Sequence, residues 1–107
     1  MAPSNPVTDC EGFDWDDGNI GKNWDKHGVT DSECEDVFLN RPLVLGTDTA
    51  SAREVRYYAL GQTDRGRWLF VAFTVRDRLI RPISARDMNA RERRFYESSK
   101  EDTDVQG

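Results

Sequence analysis

His27 is the one histidine of the chain and stands next to Lys26. Its side-chain type is the one that can take or give a proton near neutral pH. Arginine is the second reagent: residues 53–96 hold eleven arginines and no lysine. A guanidinium grips phosphate through paired hydrogen bonds, where an ammonium acts as a point charge. A proton-transfer group with several arginines suits metal-free phosphodiester cleavage. In that chemistry a base takes the ribose 2′-hydroxyl proton, an acid protonates the leaving oxygen, and cations hold the phosphate as charge builds. Arg56, Arg81 and Arg86 fall on expected strands or strand ends, from which a rigid scaffold can converge them on one phosphate. Arg53 and Arg94 belong to the same basic stretch and would hold the RNA chain. The alternative reading is structural. His27 then interacts only with the last carbonyls of its helix, and each arginine pairs with Glu54, Asp87 or Glu92 on the surface.

Charge is distributed unevenly. Residues 1–52 carry three cations against eleven acids, a balance of −8; residues 53–96 carry the eleven arginines against five acids, a balance of +6; residues 97–107 stand at −3. A basic segment inside a protein of net charge −5 suggests a nucleic-acid surface. No phosphate-binding glycine loop, dinucleotide fingerprint, metalloprotease helix or nucleophile elbow is present. Cys10 and Cys34 match neither a disulfide framework nor a zinc pattern, so no metal and no cofactor are expected. With no apolar stretch of spanning length and no leader pattern, the expected location is cytoplasmic, with no membrane partner. Trp15, Trp24, Trp68, Tyr57, Tyr58 and Tyr96 can stack on bases, or serve simply as packing in a domain this small.

The elements that must position these groups follow from spacing. Phe13 to Asp16 alternates apolar and acidic residues, as in a short edge strand whose aromatics face the core. Asp16 or Asp17 should cap a helix through about Lys26, with Ile20 and Trp24 on its inner face and Gly28 as left-handed cap. Thr30 and Glu33 form a capping-box pattern ahead of Cys34, Val37 and Phe38, an apolar stripe that ends before Pro42. Leu43 to Leu45 reads as a brief strand and Val55 to Leu60 as another. Trp68 to Val75, apolar on both faces, belongs at the centre of a sheet, and Leu79 to Ser84 follows. Short connectors at 62–66 and 76–78 make these strands antiparallel hairpins, and Pro82 requires an edge or a bulge. Asn89 and Glu92 should cap a final helix from Ala90 to Tyr96, with Phe95 on the core. The fold class is α+β: a short strand, two N-terminal helices, an antiparallel four-stranded meander and a C-terminal helix. Residues 1–12 and 98–107 are expected as flexible tails around a domain of residues 13–97.

The ordered set of short signatures carries a family resemblance. Phe13-Asp14-Trp15-Asp16, Asn23 with Lys26-His27-Gly28-Val29, and Glu35-Asp36-Val37-Phe38 resemble the opening of the BrnT family. Arg56-Tyr57-Tyr58-Ala59-Leu60-Gly61, Leu69-Phe70-Val71, Ile83-Ser84-Ala85-Arg86 and Glu92-Arg93-Arg94-Phe95-Tyr96-Glu97 continue the likeness. The resemblance implies a RelE-like fold and an endoribonuclease toxin that inhibits translation. It also implies a BrnA-type antitoxin that silences the toxin and joins it in repressing their operon, so operator DNA is contacted only through the antitoxin. By position it implies charged active-surface roles for Lys26, His27, Glu54, Arg56, Arg81 and Arg86, and makes Ser84 a hydrogen-bond donor to phosphate. The chain departs from the pattern at Asn19, where a lysine is usual, and at Ala50, Val55 and Pro82. The competing expectation is a non-catalytic binding module, a degenerate toxin that acts only through its antitoxin or repressor partner.

Overall fold

The computed structural model describes residues 6–50 and 54–106. Elements run in the order β1 (Gly12–Phe13), α1 (Lys22–His27), α2 (Asp31–Leu39), β2 (Val44–Ala50), β3 (Val55–Gln62), β4 (Trp68–Arg76), β5 (Leu79–Asp87) and α3 (Ala90–Gln106). One sheet holds all five strands in the order β1-β5-β4-β3-β2. β2 to β5 pair as consecutive antiparallel neighbours, and β1 adds a fifth strand parallel to β5. The sheet is therefore mixed, a strand wider than the meander alone.

β4 takes the central position its sequence called for, and the reason is burial on both faces. Leu69, Val71 and Phe73 are fully buried on the inner face, where they meet Val29 and the α2 residues Cys34, Val37 and Phe38. Trp68 and Phe70 point to the outer face, where a smaller cluster of Leu60, Met88 and Tyr96 packs under α3. The Thr30–Glu33 capping box and the positive φ of Gly28 set the limits of α2 and α1 as the sequence indicated. Pro82 sits at a register shift between β4 and β5, where a missing N–H does no harm.

Some local expectations are corrected. No helix begins at Asp16: its carboxylate accepts the Gly18 N–H, a local turn that competes with a helical start, and α1 begins only at Lys22. Ile20 is consequently exposed in a turn rather than on an inner helical face; the side chain of Trp24 lies outside the described residues. β2 is not brief but extends to Ala50, carried by its ladder with β3. α3 continues past Tyr96 to Gln106, and Val7 and Cys10 pack against the inner core ahead of β1. Phe95 is 56% exposed, and Tyr96 takes the core place instead, edge-on to Trp68 with its hydroxyl donating to the Pro42 carbonyl at 2.7 Å. The phase of α3 is fixed by Glu92, one turn before Tyr96 on the same side, which is tied to Arg86 of β5.

Asn19 has a structural explanation. It is 4% exposed, donates from Nδ2 to the carbonyls of Asp14 and Pro82, and accepts the Asp16 N–H on Oδ1. Three backbone groups of the 14–21 loop and the β5 bulge are thereby satisfied by one short amide, a task a lysine could not perform. Asn19→Ala should lower the urea midpoint by the equivalent of about 1–3 kcal/mol with little change in the denaturant slope. An unchanged midpoint would mean that the loop is held by other contacts.

Candidate nucleic-acid interface

Residues paired across an antiparallel ladder share a face, and so do alternate residues on one strand. The register therefore lays the outer face out in rows. Arg81 of β5 is opposite Thr74 of β4, and one step beyond the Tyr57–Phe73 pair puts Arg56 of β3 on the other side of Thr74. The next row is Tyr58, Ala72 and Ser84, and the next Leu60, Phe70 and Arg86. Glu54, two residues before Arg56, begins the face, where it receives the Arg76 Nε–H at 2.8 Å. Thus Glu54, Arg56, Arg81, Ser84 and Arg86 all lie on the one side of the sheet that α2 leaves uncovered.

They do not converge on a single phosphate, as sequence position alone suggested. Arg56 and Arg86 are two strands and two rows apart, about 16 Å between Cα atoms by strand geometry. Between them the face is stacked sideways. The Arg86 guanidinium lies 4.3 Å over the Phe70 ring, and Phe70 stacks on Tyr58 at 5.9 Å with ring planes 11° apart. Tyr58 in turn leans over Gly46 of β2, where any Cβ would run into its ring. Small residues, Ala72 and Ser84, floor the centre.

Two of the arginines are already engaged. Arg81, its side chain 14% exposed, makes two bonds to Asp16 at 2.9 and 3.0 Å and lies 3.4 Å from Asp14. Arg86 makes a two-pronged pair with Glu92 at 2.7 and 3.0 Å. Arg56 is exposed and enters no ion pair among the described residues, though its field helps to hold Glu54 ionised. The Glu54 carboxyl is pulled below its ordinary value chiefly by the Arg76 hydrogen bond. At Glu92 burial pushes upward, but the Arg86 bond and the Asn89 N–H outweigh it, leaving the carboxyl low.

Lys26 and His27 are placed elsewhere, at the exposed end of α1. There Arg67 gathers the chain: it donates to the carbonyls of His27 and Gly28, to Glu33, and to Asp87 through two bonds at 2.8 and 3.1 Å. Asp87 and Arg86 are neighbours on β5 and so face opposite sides of the sheet. Arg94 is exposed on α3, near Arg91 and Phe95 on the helix surface; Arg53 lies outside the described residues. Sequence reasoning missed Arg67 as an organiser, and Asp48 and Arg91 beside the aromatic rings. Asp48 carried a legible signal only in hindsight, as a strand-breaking residue in a strand. Among the described residues no three His, Cys, Asp or Glu side chains are grouped to hold a metal ion, and no helix is long and apolar enough to cross a membrane.

These features define a small α+β domain whose open sheet face combines arginine, hydroxyl and stacked aromatic groups. The family comparison names the kind. A model described as "Ribonuclease toxin, BrnT, of type II toxin-antitoxin system" matches residues 15–92, and the chain belongs to that family of ribonuclease toxins, whose members act with an antitoxin partner. No curated protein matches the chain.

The Arg86–Glu92 pair gives stability a predictable pH dependence. Because the folded Glu92 carboxyl is depressed, the unfolded chain takes up the proton first on acidification. The pair's contribution is present above about pH 4.5 and is lost as pH falls through the folded value. The melting temperature of Glu92→Gln should lie below that of the wild type at pH 7, and the gap should close toward pH 3. A gap independent of pH would show that the carboxylate charge is not what binds β5 to α3.

Proposed function

We propose that this protein is a metal-independent endoribonuclease that binds RNA along the outer face of the sheet, inhibits translation, and is silenced by a BrnA-type antitoxin with which it represses its own operon. The observation that carries the reading is the shared face of Glu54, Arg56, Ser84 and Arg86. The order of elements supports a RelE-like layout.

On this reading the reaction centre is the Glu54–Arg56 corner. Glu54, ionised at neutral pH, takes the proton from the 2′-hydroxyl as that oxygen bonds to phosphorus. The bond to the 5′-oxygen breaks, the leaving oxygen takes its proton from water, and Arg56 stabilises the phosphate as its charge grows. Ser84 donates to a neighbouring phosphate, and Arg86 flanks the chain from its seat on Phe70. Arg81 holds the 14–16 segment in place and reaches RNA only through its remaining donors. Lys26 and His27 contact the strand beyond the sheet end rather than the reacting atoms, with Arg53 and Arg94 as further cations. An antitoxin that covers the outer face silences the enzyme by competing for the same cations. The working place of such a pair is the cytoplasm.

The binding-module reading draws on the engagement of Arg81 and Arg86 by internal carboxylates, which reduces the charge left for RNA. Incubation of the purified toxin with RNA in EDTA separates the two. Cleavage is expected to persist, to fall about a hundredfold or more in Glu54→Gln and, at an unchanged melting temperature, in Arg56→Ala, and to change little in His27→Ala. Binding without cleavage would leave the module as the account. Loss of activity in His27→Ala alone would move the reaction centre to the end of α1.

A further inference from the structure

The outer face does not end at the arginines. Between β2, β3 and the first turns of α3 lies a cleft of about 320 Å³, lined by Asp48, Tyr58, Leu60, Phe70, Arg91, Glu92 and Phe95. That volume is at the lower end of small-ligand sites, which span about 300–1,000 Å³. Its walls are aromatic and its rim is charged. Phe95, one turn from Arg91 on α3, is more than half exposed, an unusual position for a phenylalanine with a core close by. Tyr58 and Phe70 are stacked in series between Arg86 and Gly46 on the outer face. Asp48 is the residue at which the β2–β3 register slips, between the pairs Thr47–Tyr57 and Thr49–Arg56. An extra residue of this kind leaves the ladder and re-aims its side chain. Of the two carboxylates at the cleft, Glu92 is occupied by Arg86 and the Asn89 N–H, whereas Asp48 pairs with no cation among the described residues.

We infer that this cleft is a nucleobase subsite that selects guanine in the RNA, with Asp48 as the specificity-determining residue; the inference rests on the outer face being the RNA-binding surface. A carboxylate only accepts hydrogen bonds, and it has two oxygens side by side. Guanine alone among the four bases presents two adjacent donors, N1–H and the N2 amino group, on its Watson–Crick edge. Adenine and cytosine offer a donor beside an acceptor, and uracil sets one N–H between two carbonyls. The aromatic walls supply stacking that any base can use, worth about 1–3 kcal/mol per base. Arg91 is placed to donate to the O6 side, the commonest guanine contact of an arginine. Arg56 lies across the ladder from Thr49, next to Asp48, so a guanine in the cleft sits beside the proposed reaction centre.

The test is fluorescence polarisation with labelled pentanucleotides of uridine carrying one central guanosine, adenosine or cytidine, all as 2′-deoxy sugars so that no attacking hydroxyl is present. The guanosine ligand is expected to bind the full-length toxin about tenfold tighter than the other two. Asp48→Asn, which turns one acceptor into a donor, should bring the ratio to about one, and Phe95→Ala should weaken all three alike. Equal affinities in the wild type, or a guanine preference that survives Asp48→Asn, would overturn the subsite. Because binding is read without cleavage, the two readings fail separately. A guanine preference in a protein that cuts no RNA refutes only the nuclease, and cleavage without guanine preference refutes only the subsite.

Discussion

Glu92 ties the end of β5 to the cap of α3 through one carboxylate. It accepts both prongs of Arg86 at the end of β5, it accepts the Asn89 N–H, and its own N–H is received by the Asn89 side chain, so the strand end and the helix cap are one hydrogen-bonded unit. Met88, between them, is buried under the helix. This unit sets the angle at which α3 leaves the sheet and turns Tyr96 inward and Phe95 outward. It also fixes Arg86 over Phe70, and through Phe70 the tilt of Tyr58 onto Gly46. A pair this well formed and partly shielded is worth more than an ordinary surface ion pair, because little side-chain freedom remains to be lost. The cleft and the cationic face are both consequences of it.

An acidic protein can offer RNA a favourable surface when its charges are sorted rather than averaged. Here the inner side and the α2 region hold acids used for capping and bracing: Glu33 in the capping box, Glu35 on the Trp15 indole, and Asp36 on the Asp64 N–H. Several arginines serve the same purpose from the other sign, with Arg67, Arg76 and Arg81 each closing a contact between distant segments. The excess of arginine over acid in residues 53–96 therefore overstates the charge available to a ligand. What remains along the outer face and α3 includes Arg56, Arg91 and Arg94, which are exposed.

Much of the fold was legible because it rests on local chemistry. Capping signals at Thr30 and Asn89, the left-handed Gly28, the two-sided apolar run of β4 and the need of Pro82 for a bulge each follow from a few neighbouring residues. The misreadings arose where a long-range contact chose between near-equal local options. Phe95 and Tyr96 are both aromatic and adjacent; the hydroxyl's reach to Pro42 and the Glu92 tie decide which goes inside. The 16–21 segment has helical composition in part, but Asp16 and Asn19 spend their side chains on the backbone. At the site, the arginine-bearing strands and Glu92 as a partner for Arg86 were legible from sequence, whereas the rows they occupy, the Asp16 carboxylate that claims Arg81 and the bulge at Asp48 depend on long-range pairing.

The central claim is that RNA lies on the outer face of the sheet. The most direct measurement is ultraviolet crosslinking of the toxin to a non-cleavable RNA, followed by mass spectrometric assignment of the crosslinked residues. The account predicts crosslinks at Tyr58, Phe70 and Phe95, suppressed when antitoxin is added first. Crosslinks confined to the end of α1 around His27, with none on β3, β4 or α3, would contradict it.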